Sequence, residues 1–404
     1  MLAAGCVHVL CCAVAAVRNA ITLTAAVVAA VLAIFGLEGL ASLHLYSTRQ
    51  NAGLIWAPDS TVEHTTTEFQ YVAHINNLGF RDRDFSRSKS DTRRIAVLGD
   101  SFTYGWGLSI EESWPKVLEA RLREMGRHVE VANLGVPGAG PREYAKLAPR
   151  AIQMLRPDVV IVAVVQADDL FQCHESGGST DTNWRTRLRS ALDRLFPSLA
   201  QLAGLTHPNR VHVTSQELRE TWKTQVQTFL SGLNSEDHAR CDLLPLRIRD
   251  LYAQGDLNPG LLYYSIRYPA FMLDTCRLDL ASTRQEISEL TSRLGEVRDA
   301  AVKYGARALV VSVPYRTYVS AQDLEDMRNL GFTVEPAMLQ TQAPDQAIRR
   351  AAQQAGLAFA QVTDSLRRQA TAAAFYFPLD GHFTSRGAHA YATLVATEIA
   401  ALPR

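Results

Sequence analysis

Short apolar segments alternate along the chain with segments of helical periodicity, and this alternation is the strongest constraint on the fold. The apolar segments, most of them rich in Val and Ile, are residues 94–98, 129–132, 158–165, 306–313 and 357–361. Their length and continuous apolar character are typical of buried parallel strands. The helical patterns are residues 112–125, 141–155, 283–303 and 385–402. Strand and helix in alternation predict an α/β fold with a three-layer, doubly wound, flavodoxin-like parallel sheet.

A long segment, about residues 170–280, interrupts this alternation. It contains helix-like pieces at residues 216–230 and 246–254 and a cluster of tyrosines that includes Tyr263 and Tyr264. A structureless loop of that length is rare inside a compact domain. We therefore expect a helical insertion, placed to act as a lid.

The N-terminal region predicts a membrane anchor. Residues 20–37 contain no charged side chain and follow Arg18, and such a segment is about long enough to span a bilayer as a helix. Residues 2–17 are also apolar, so a two-pass hairpin and a cleaved signal peptide are alternatives to a single span. Arg18 favours a cytoplasmic N terminus, which would place the rest of the chain on the extracytoplasmic side. We expect residues 1–46 to form tail and anchor, 47–93 a polar connector, and 94–404 the functional domain.

Composition limits the possible partners and cofactors. The 404 residues include 41 basic and 41 acidic side chains without a long run of either sign, which argues against nucleic-acid binding. No phosphate loop and no complete Gly-x-Gly-x-x-Gly motif is present, so we expect no cofactor. The cysteines, without metal-ligand spacing, are Cys6, Cys11, Cys12, Cys173, Cys241 and Cys276. We expect no metal site; the last three cysteines permit one disulfide in an oxidising compartment, with the pair left open.

The first predicted strand ends in a serine. Residues 94–98 run into Gly99-Asp100-Ser101, which places Ser101 at the carboxyl edge of the sheet, where open α/β folds bind their ligands. This is a suitable position for a nucleophile. The same tripeptide also fits a turn that caps the next helix.

An aspartate and a histidine one residue apart stand near the other end of the chain. Asp380 and His382 precede the last predicted helix, and in an extended loop residues i and i+2 project to the same side. The Asp380 carboxylate can then orient the His382 ring, whose other nitrogen would face Ser101. A structural histidine is the alternative, and we expect His389 to be one.

These motifs resemble those of the SGNH (GDSL-like) hydrolase family. Its first, second and last sequence blocks are similar to Gly99-Asp100-Ser101, Asn133-Leu-Gly-Val-Pro-Gly138 and Asp380-Gly-His382. A lead-in seen in many membrane-associated members is similar to Asn76-Asn-Leu-Gly-Phe-Arg81-Asp82. The resemblance implies a triad of Ser101, His382 and Asp380. It also implies an oxyanion hole formed by the backbone N–H groups of Ser101 and Gly138 and an asparagine side chain of the third block.

The chain departs from the family in that third block. The expected Gly-x-Asn-Asp reads Gln166-Ala167-Asp168-Asp169, so Asp168 takes the place of the asparagine. An ionised carboxylate would repel the oxyanion, and loss of one oxyanion donor costs about 10²- to 10³-fold in rate. A protonated Asp168 or the Gln166 amide are alternative donors, and a turn-capping role for Asp168 is a third possibility.

The expected function is serine-dependent hydrolysis of O-acyl groups on an extracytoplasmic glycan or lipid at the membrane. The one-residue spacing between Asp380 and His382 resembles members that acetylate or deacetylate extracytoplasmic polysaccharides. An O-acyltransferase that modifies a cell-envelope polysaccharide is therefore an alternative, since it would use the same residues. A catalytically weakened binding module is the alternative from a different class.

Overall fold

The computed structural model describes residues 54–89, 91–178, 212–370 and 374–401, with scattered positions between residues 22 and 40. The chain divides into two compact units, Met1–Ala52 with Thr180–Asn209, and Gly53–Ser179 with Arg210–Arg404. In the first unit, residues 33–38 are helical. Among the positions described, no helix has both the length and the apolar character that a membrane span requires. Much of the predicted transmembrane segment, residues 20–37, lies outside the described positions.

The second unit contains the predicted strands and helices. Its described strands are β1 (Thr61–Thr65), β2 (Gln70–His74), β3 (Arg93–Gly99), β4 (Val129–Gly135), β5 (Val159–Val165), β6 (His212–Val213), β7 (Arg307–Val313) and β8 (Ala358–Ala360). Its described helices are α1 (Ser101–Tyr104), α2 (Trp114–Glu124), α3 (Pro141–Leu155), α4 (Asp168–Gly178), α5 (Ser215–Ser231), α6 (Ser235–Leu243), α7 (Leu246–Gln254), α8 (Pro259–Arg267), α9 (Phe271–Asp274), α10 (Ala281–Lys303), α11 (Ala321–Asn329), α12 (Ala343–Gln354), α13 (Thr363–Gln369) and α14 (Ser385–Ala401). Short 3₁₀ turns lie at Arg316–Tyr318 and Pro336–Leu339.

The main sheet is parallel, with the strand order β4-β3-β5-β7-β8. This confirms the predicted α/β fold with a parallel sheet. After β3, the chain forms β4 on one side of β3 and then β5 on its other side. The direction in which strands are added therefore reverses between β3 and β5. In such sheets, ligands bind outside the carboxyl ends of the strands at this reversal.

Helices cover both faces of this sheet because alternate strand residues point to opposite sides. On one face, Leu98 and Val162 belong to a core shared with α3, α10 and α12. On the other face, Val97 and Ile161 belong to a core shared with α2 and α14. The result is three layers, with the carboxyl edge of the sheet left for the loops that follow β3, β4, β5 and β7.

The segment predicted as an insertion is mainly helical where it is described, with helices α5 to α9 after the short strand β6. Its apolar side chains form a separate core that includes Tyr252, Phe271 and Met272. Ala167, just after β5, and Tyr318, just after β7, belong to the same core. The insertion therefore packs beside the carboxyl edge of the sheet, and its function as a lid stays a prediction.

The segment predicted as a connector contributes β1 and β2 to a second, small sheet, in which β1 also pairs with β6 from the predicted insertion. The Arg81 side chain that follows it is buried and donates to the carbonyl oxygens of Tyr104 and Gly105, both at 2.8 Å. Asp82 accepts a hydrogen bond from the Asn133 backbone N–H at 2.9 Å. The lead-in motif thus joins this small sheet to the ends of α1 and β4.

The three described cysteines, Cys173, Cys241 and Cys276, are free thiols. Cys173 lies in the core on one face of the main sheet, whereas Cys241 lies in the core of the insertion. The disulfide that composition permits is therefore not formed among these three residues.

Candidate active site

Ser101 is the first residue of α1, directly after β3. Asp100 caps this short helix, because its Oδ1 accepts a hydrogen bond from the N–H of Phe102 at 2.9 Å. The helix lies so close to β4 that a Cβ atom on Gly135 would come within 2.0 Å of the Tyr104 backbone nitrogen. Glycine at 135 therefore permits this approach, which fixes the point where Ser101 leaves the sheet.

The structure brings the three predicted triad residues together. The Nε2 atom of His382 lies 2.6 Å from Ser101 Oγ, and its Nδ1 atom lies 2.5 Å from Asp380 Oδ1. Gly381, between the two, has a φ of +89°, a conformation that glycine adopts without the steric cost of a side chain. The resulting tight turn lets a carboxylate and an imidazole one residue apart meet.

Aromatic rings surround the imidazole. The ring centroids of Phe102 and Trp106 lie 4.7 and 6.1 Å from that of His382. The Nε1 of Trp106 also donates to Asp380 Oδ2 at 3.2 Å, so both carboxylate oxygens of Asp380 are engaged. Burial lowers the pKa of His382, but the charge and hydrogen bond of Asp380, together with the carboxylates of Asp100 and Asp168, outweigh burial, so the net pKa is raised. The imidazole is therefore a stronger base than an ordinary histidine.

Gly138 lies in the turn between β4 and α3. It is exposed and has a φ of +75°. The turn begins beside β3, the strand that precedes Ser101. The N–H of Val136 donates to the carbonyl oxygen of Gly99, the last residue of β3, at 2.9 Å. Gly138 and Ser101 therefore belong to neighbouring loops at the same edge of the sheet.

Asp168 is the first residue of α4, just after β5 on the other side of β3. It belongs to a group of interacting carboxyl groups that also contains Asp100 and Asp169. Burial, followed by the Asp168 carboxylate, raises the pKa of Asp100 to about 7. Burial also raises the pKa of Asp169 well above its usual value, and the carboxylates of Asp100 and Asp168 add to this shift. These groups therefore do not all carry a charge at neutral pH.

Carboxylates often mark metal sites, but the geometry here gives no support for one. Within the described ranges, no group of three or more His, Cys, Asp or Glu side chains is arranged to hold a metal ion. Asp169 instead accepts hydrogen bonds from the Val165 backbone N–H at 2.8 Å and from the Tyr144 hydroxyl at 3.0 Å.

Gln166 does not fill the place of the missing asparagine. Its Nε2 donates to Asp345 Oδ1 at 2.8 Å and to Thr363 Oγ1 at 2.9 Å, and its Oε1 accepts from the Tyr315 N–H at 3.2 Å. The suggestion that its amide serves an oxyanion is therefore wrong, because these buried partners already occupy that amide. Gln166 instead ties β5 to α12, α13 and the loop after β7.

Arg316 contacts the loop that carries Asp380 and His382, although no motif pointed to it. It is fully buried, and its Nη1 donates to the carbonyl oxygens of Phe377 and Pro378 at 3.1 and 2.9 Å. A single signal was available in the sequence, namely an arginine three residues after the apolar strand that ends at Val313. Trp106 also lay outside the motifs, five residues after Ser101.

Comparison with known proteins gives matches over most of the sheet-bearing unit. Residues 97–259 match the GDSL-like lipase/acylhydrolase family, and residues 273–404 match the family described as SGNH hydrolase-like domain, acetyltransferase AlgX. An arylesterase of Vibrio mimicus is 31% identical over 85 residues, which cover 21% of this chain and 42% of that protein. The chain thus matches less than half the length of this relative.

Several solved structures are also similar. TesA is 11% identical with a TM-score of 0.37, over 76% of this chain and 99% of that chain. The SGNH-hydrolase family esterase AlinE4 is 14% identical with a TM-score of 0.31, over 78% of this chain and 100% of that chain. A lipase/acylhydrolase from Enterococcus faecalis is 13% identical with a TM-score of 0.35, over 76% and 95%.

The two family matches divide the site between them. The GDSL-like region contains Ser101, Gly138 and Asp168, and the SGNH acetyltransferase region contains Asp380 and His382. Both families are of the SGNH type. Across residues 97–259 and 273–404 the chain is therefore of the SGNH (GDSL-like) hydrolase type.

Proposed function

We propose that the chain cleaves O-acyl esters through a triad in which Ser101 is the nucleophile, His382 the base and Asp380 the residue that orients the base. The observation that carries this proposal is the continuous hydrogen-bond path from Asp380 Oδ1 through both nitrogens of His382 to Ser101 Oγ. Nucleophile, base and orienting carboxylate in this order are the arrangement that activates a serine hydroxyl.

The proton follows this path during the reaction. Neutral His382 carries its proton on Nδ1, where Asp380 accepts it, so that Nε2 is free to take the proton of Ser101. The Ser101 oxygen attacks the acyl carbonyl, and His382 then gives the proton to the leaving alcohol oxygen. The acyl-serine is released by the reverse sequence when a hydroxyl of water or of a sugar attacks it.

The backbone N–H groups of Ser101 and Gly138 are the proposed donors to the oxyanion. They lie on loops that leave neighbouring strands at one edge of the sheet, and donors fixed in the backbone need no reorganisation during the reaction. Asp168 follows β5, on the other side of β3, and its carboxylate would repel the oxyanion when ionised. We therefore propose that the hydrolytic rate is limited by this carboxylate.

The proposed substrate class is inferred from the segments that accompany the site. An acylated glycan or lipid presented at a membrane surface, on the extracytoplasmic side, suits the apolar N-terminal segment and a site bordered by the helical insertion. A second candidate is transfer of an acetyl group to a polysaccharide hydroxyl. The match of residues 273–404 to an SGNH acetyltransferase family favours this candidate.

Replacement of Ser101 by alanine is expected to lower hydrolysis of 4-nitrophenyl acetate by about 10⁴-fold or more, because no acyl-serine can form. The rate is measured by release of nitrophenolate. Ser109→Ala, at an exposed serine in the following loop, is the matched control and keeps the wild-type rate. Equal rates in Ser101→Ala and wild type would exclude this mechanism.

The same assay with an acetylated donor and a polysaccharide acceptor separates hydrolysis, which yields acetate, from transfer, which yields acetylated polysaccharide.

The pH dependence of kcat/KM is expected to show an acidic limb above pH 6.5. An ordinary histidine has a pKa of about 6.5, and the raised pKa of His382 keeps the inactive protonated form populated to higher pH. Asp380→Asn removes the main charge that raises this pKa, so the limb moves to lower pH while kcat falls by about 10⁴-fold. A limb that stays in place in Asp380→Asn would assign it to another group, such as Asp100, and contradict the role of His382.

Asp168→Asn is expected to raise hydrolysis by about 10²-fold, because an amide donor replaces a repelling carboxylate. The Asp168 carboxylate also contributes to the raised pKa of His382, so its removal moves the acidic limb of kcat/KM to lower pH. Asp242→Asn, at an exposed position of the insertion, is the control and changes neither property. A fall in kcat of Asp168→Asn at every pH would instead show that the acid itself takes part in the reaction.

A further inference from the structure

The small sheet formed by β1, β2 and β6 is connected by one side chain, Glu68, to the loop that carries Asp380 and His382. Glu68 lies in the turn between β1 and β2, and its two carboxylate oxygens accept hydrogen bonds from consecutive backbone N–H groups. The Leu379 N–H donates at 2.9 Å and the Asp380 N–H at 2.7 Å. A residue more than 300 positions away thus holds the backbone at the aspartate of the triad.

Arg316 holds the same loop from its carbonyl side. Its Nη1 donates to the carbonyl oxygens of Phe377 and Pro378, and its Nη2 pairs with Asp326 at 3.0 Å. The loop therefore lies between a carboxylate from the small sheet and a guanidinium from the end of β7. The two ions fix opposite polar groups of a four-residue stretch that ends at Asp380.

The identity of residue 68 matters because the contact brings two like charges close together. Burial raises the pKa of Glu68, the two backbone N–H groups lower it, and the Asp380 carboxylate raises it again. A second carboxylate beside Asp380 is electrostatically unfavourable. It has one compensating property, since an ionised carboxylate accepts from two adjacent N–H groups with both oxygens. An amide at this position would direct an NH₂ group at one of them.

The same small sheet also supports the second partner of Asp380. Trp106, which donates to Asp380 Oδ2, packs against His64 with ring centroids 4.6 Å apart, and His64 stacks on Tyr71 at 4.7 Å. Burial and the Arg81 guanidinium lower the pKa of His64 to about 4, so this stack is uncharged at neutral pH. Side chains of β1 and β2 thus support Trp106, while their connecting turn supplies Glu68.

We propose that Glu68 is a positioning residue of the reaction, which fixes the backbone of Asp380 so that its carboxylate stays aligned with His382 Nδ1. The proposal rests on the proposed function of the triad. Glu68 touches neither Ser101 nor the substrate in this role and acts only through Asp380. Small misplacements of catalytic groups cost up to about 10²-fold in rate, which sets the size of the expected effect.

The test compares Glu68→Ala, Glu68→Gln and the control Thr67→Ala, an exposed neighbour in the same turn, in the full chain. We expect kcat for 4-nitrophenyl acetate to fall by about 10- to 100-fold in Glu68→Ala, by less in Glu68→Gln, and not in Thr67→Ala, with KM unchanged in all three. The downfield proton resonance of His382 Nδ1–H is expected to shift or broaden in the two Glu68 variants only. If Glu68→Ala fails to fold, the isosteric Glu68→Gln decides.

A wild-type kcat and an unchanged Nδ1–H resonance in a folded Glu68→Gln or Glu68→Ala variant would overturn the proposal, and would leave Glu68 as a residue of stability alone. A rise in KM with unchanged kcat would overturn it as well, since that result indicates a role in substrate binding. Failure of the triad itself gives a different result. Ser101→Ala would then retain activity, while the Nδ1–H resonance would still report whether Glu68 positions Asp380.

Discussion

The hydrogen bond between Ser101 Oγ and His382 Nε2 joins residues 281 positions apart, and the geometry of the whole site depends on it. Neither partner can reach the other through local structure. The parallel sheet makes the contact possible because β3 delivers Ser101 to its carboxyl edge, while the loop before α14 returns to that edge with His382. Two cores of buried apolar side chains, one on each face of the sheet, keep this edge in place, so the fold's contribution to the chemistry is alignment.

Much of the fold was predictable because its signals are local. The run Val-Val-Ile-Val-Ala-Val-Val in β5 is buried along its whole length, and apolar character on both faces distinguishes such a strand from one that borders water. Ser101, Asp380 and His382 were predictable for a related reason, since each stands next to a strand or helix boundary that the pattern reveals. The Gly381 turn brings two of them together within three residues.

The contacts of Glu68, Trp106 and Arg316 with the loop of Asp380 were not predicted, because they join segments that are distant in the sequence. Glu68 stands among polar residues of a segment that reads as a connector, and only the paired β1 and β2 strands aim its turn at the loop of Asp380. Gln166 shows the same limit from the other direction. Its position beside Asp168 suggested an oxyanion donor, but Asp345 and Thr363, which arrive from α12 and α13, occupy its amide.

The electrostatics of this site depend on its carboxylates. Asp380 raises the pKa of His382, and the carboxylates of Asp100 and Asp168 raise it further. The most direct test of the account is a crystal structure of the full chain after reaction with an aryl phosphonate ester. The account predicts phosphorus bonded to Ser101 Oγ, with a phosphoryl oxygen facing the Gly138 N–H and His382 Nε2 within hydrogen-bond distance of an ester oxygen. Phosphorus on another side chain, or a phosphoryl oxygen turned away from Gly138, would contradict it.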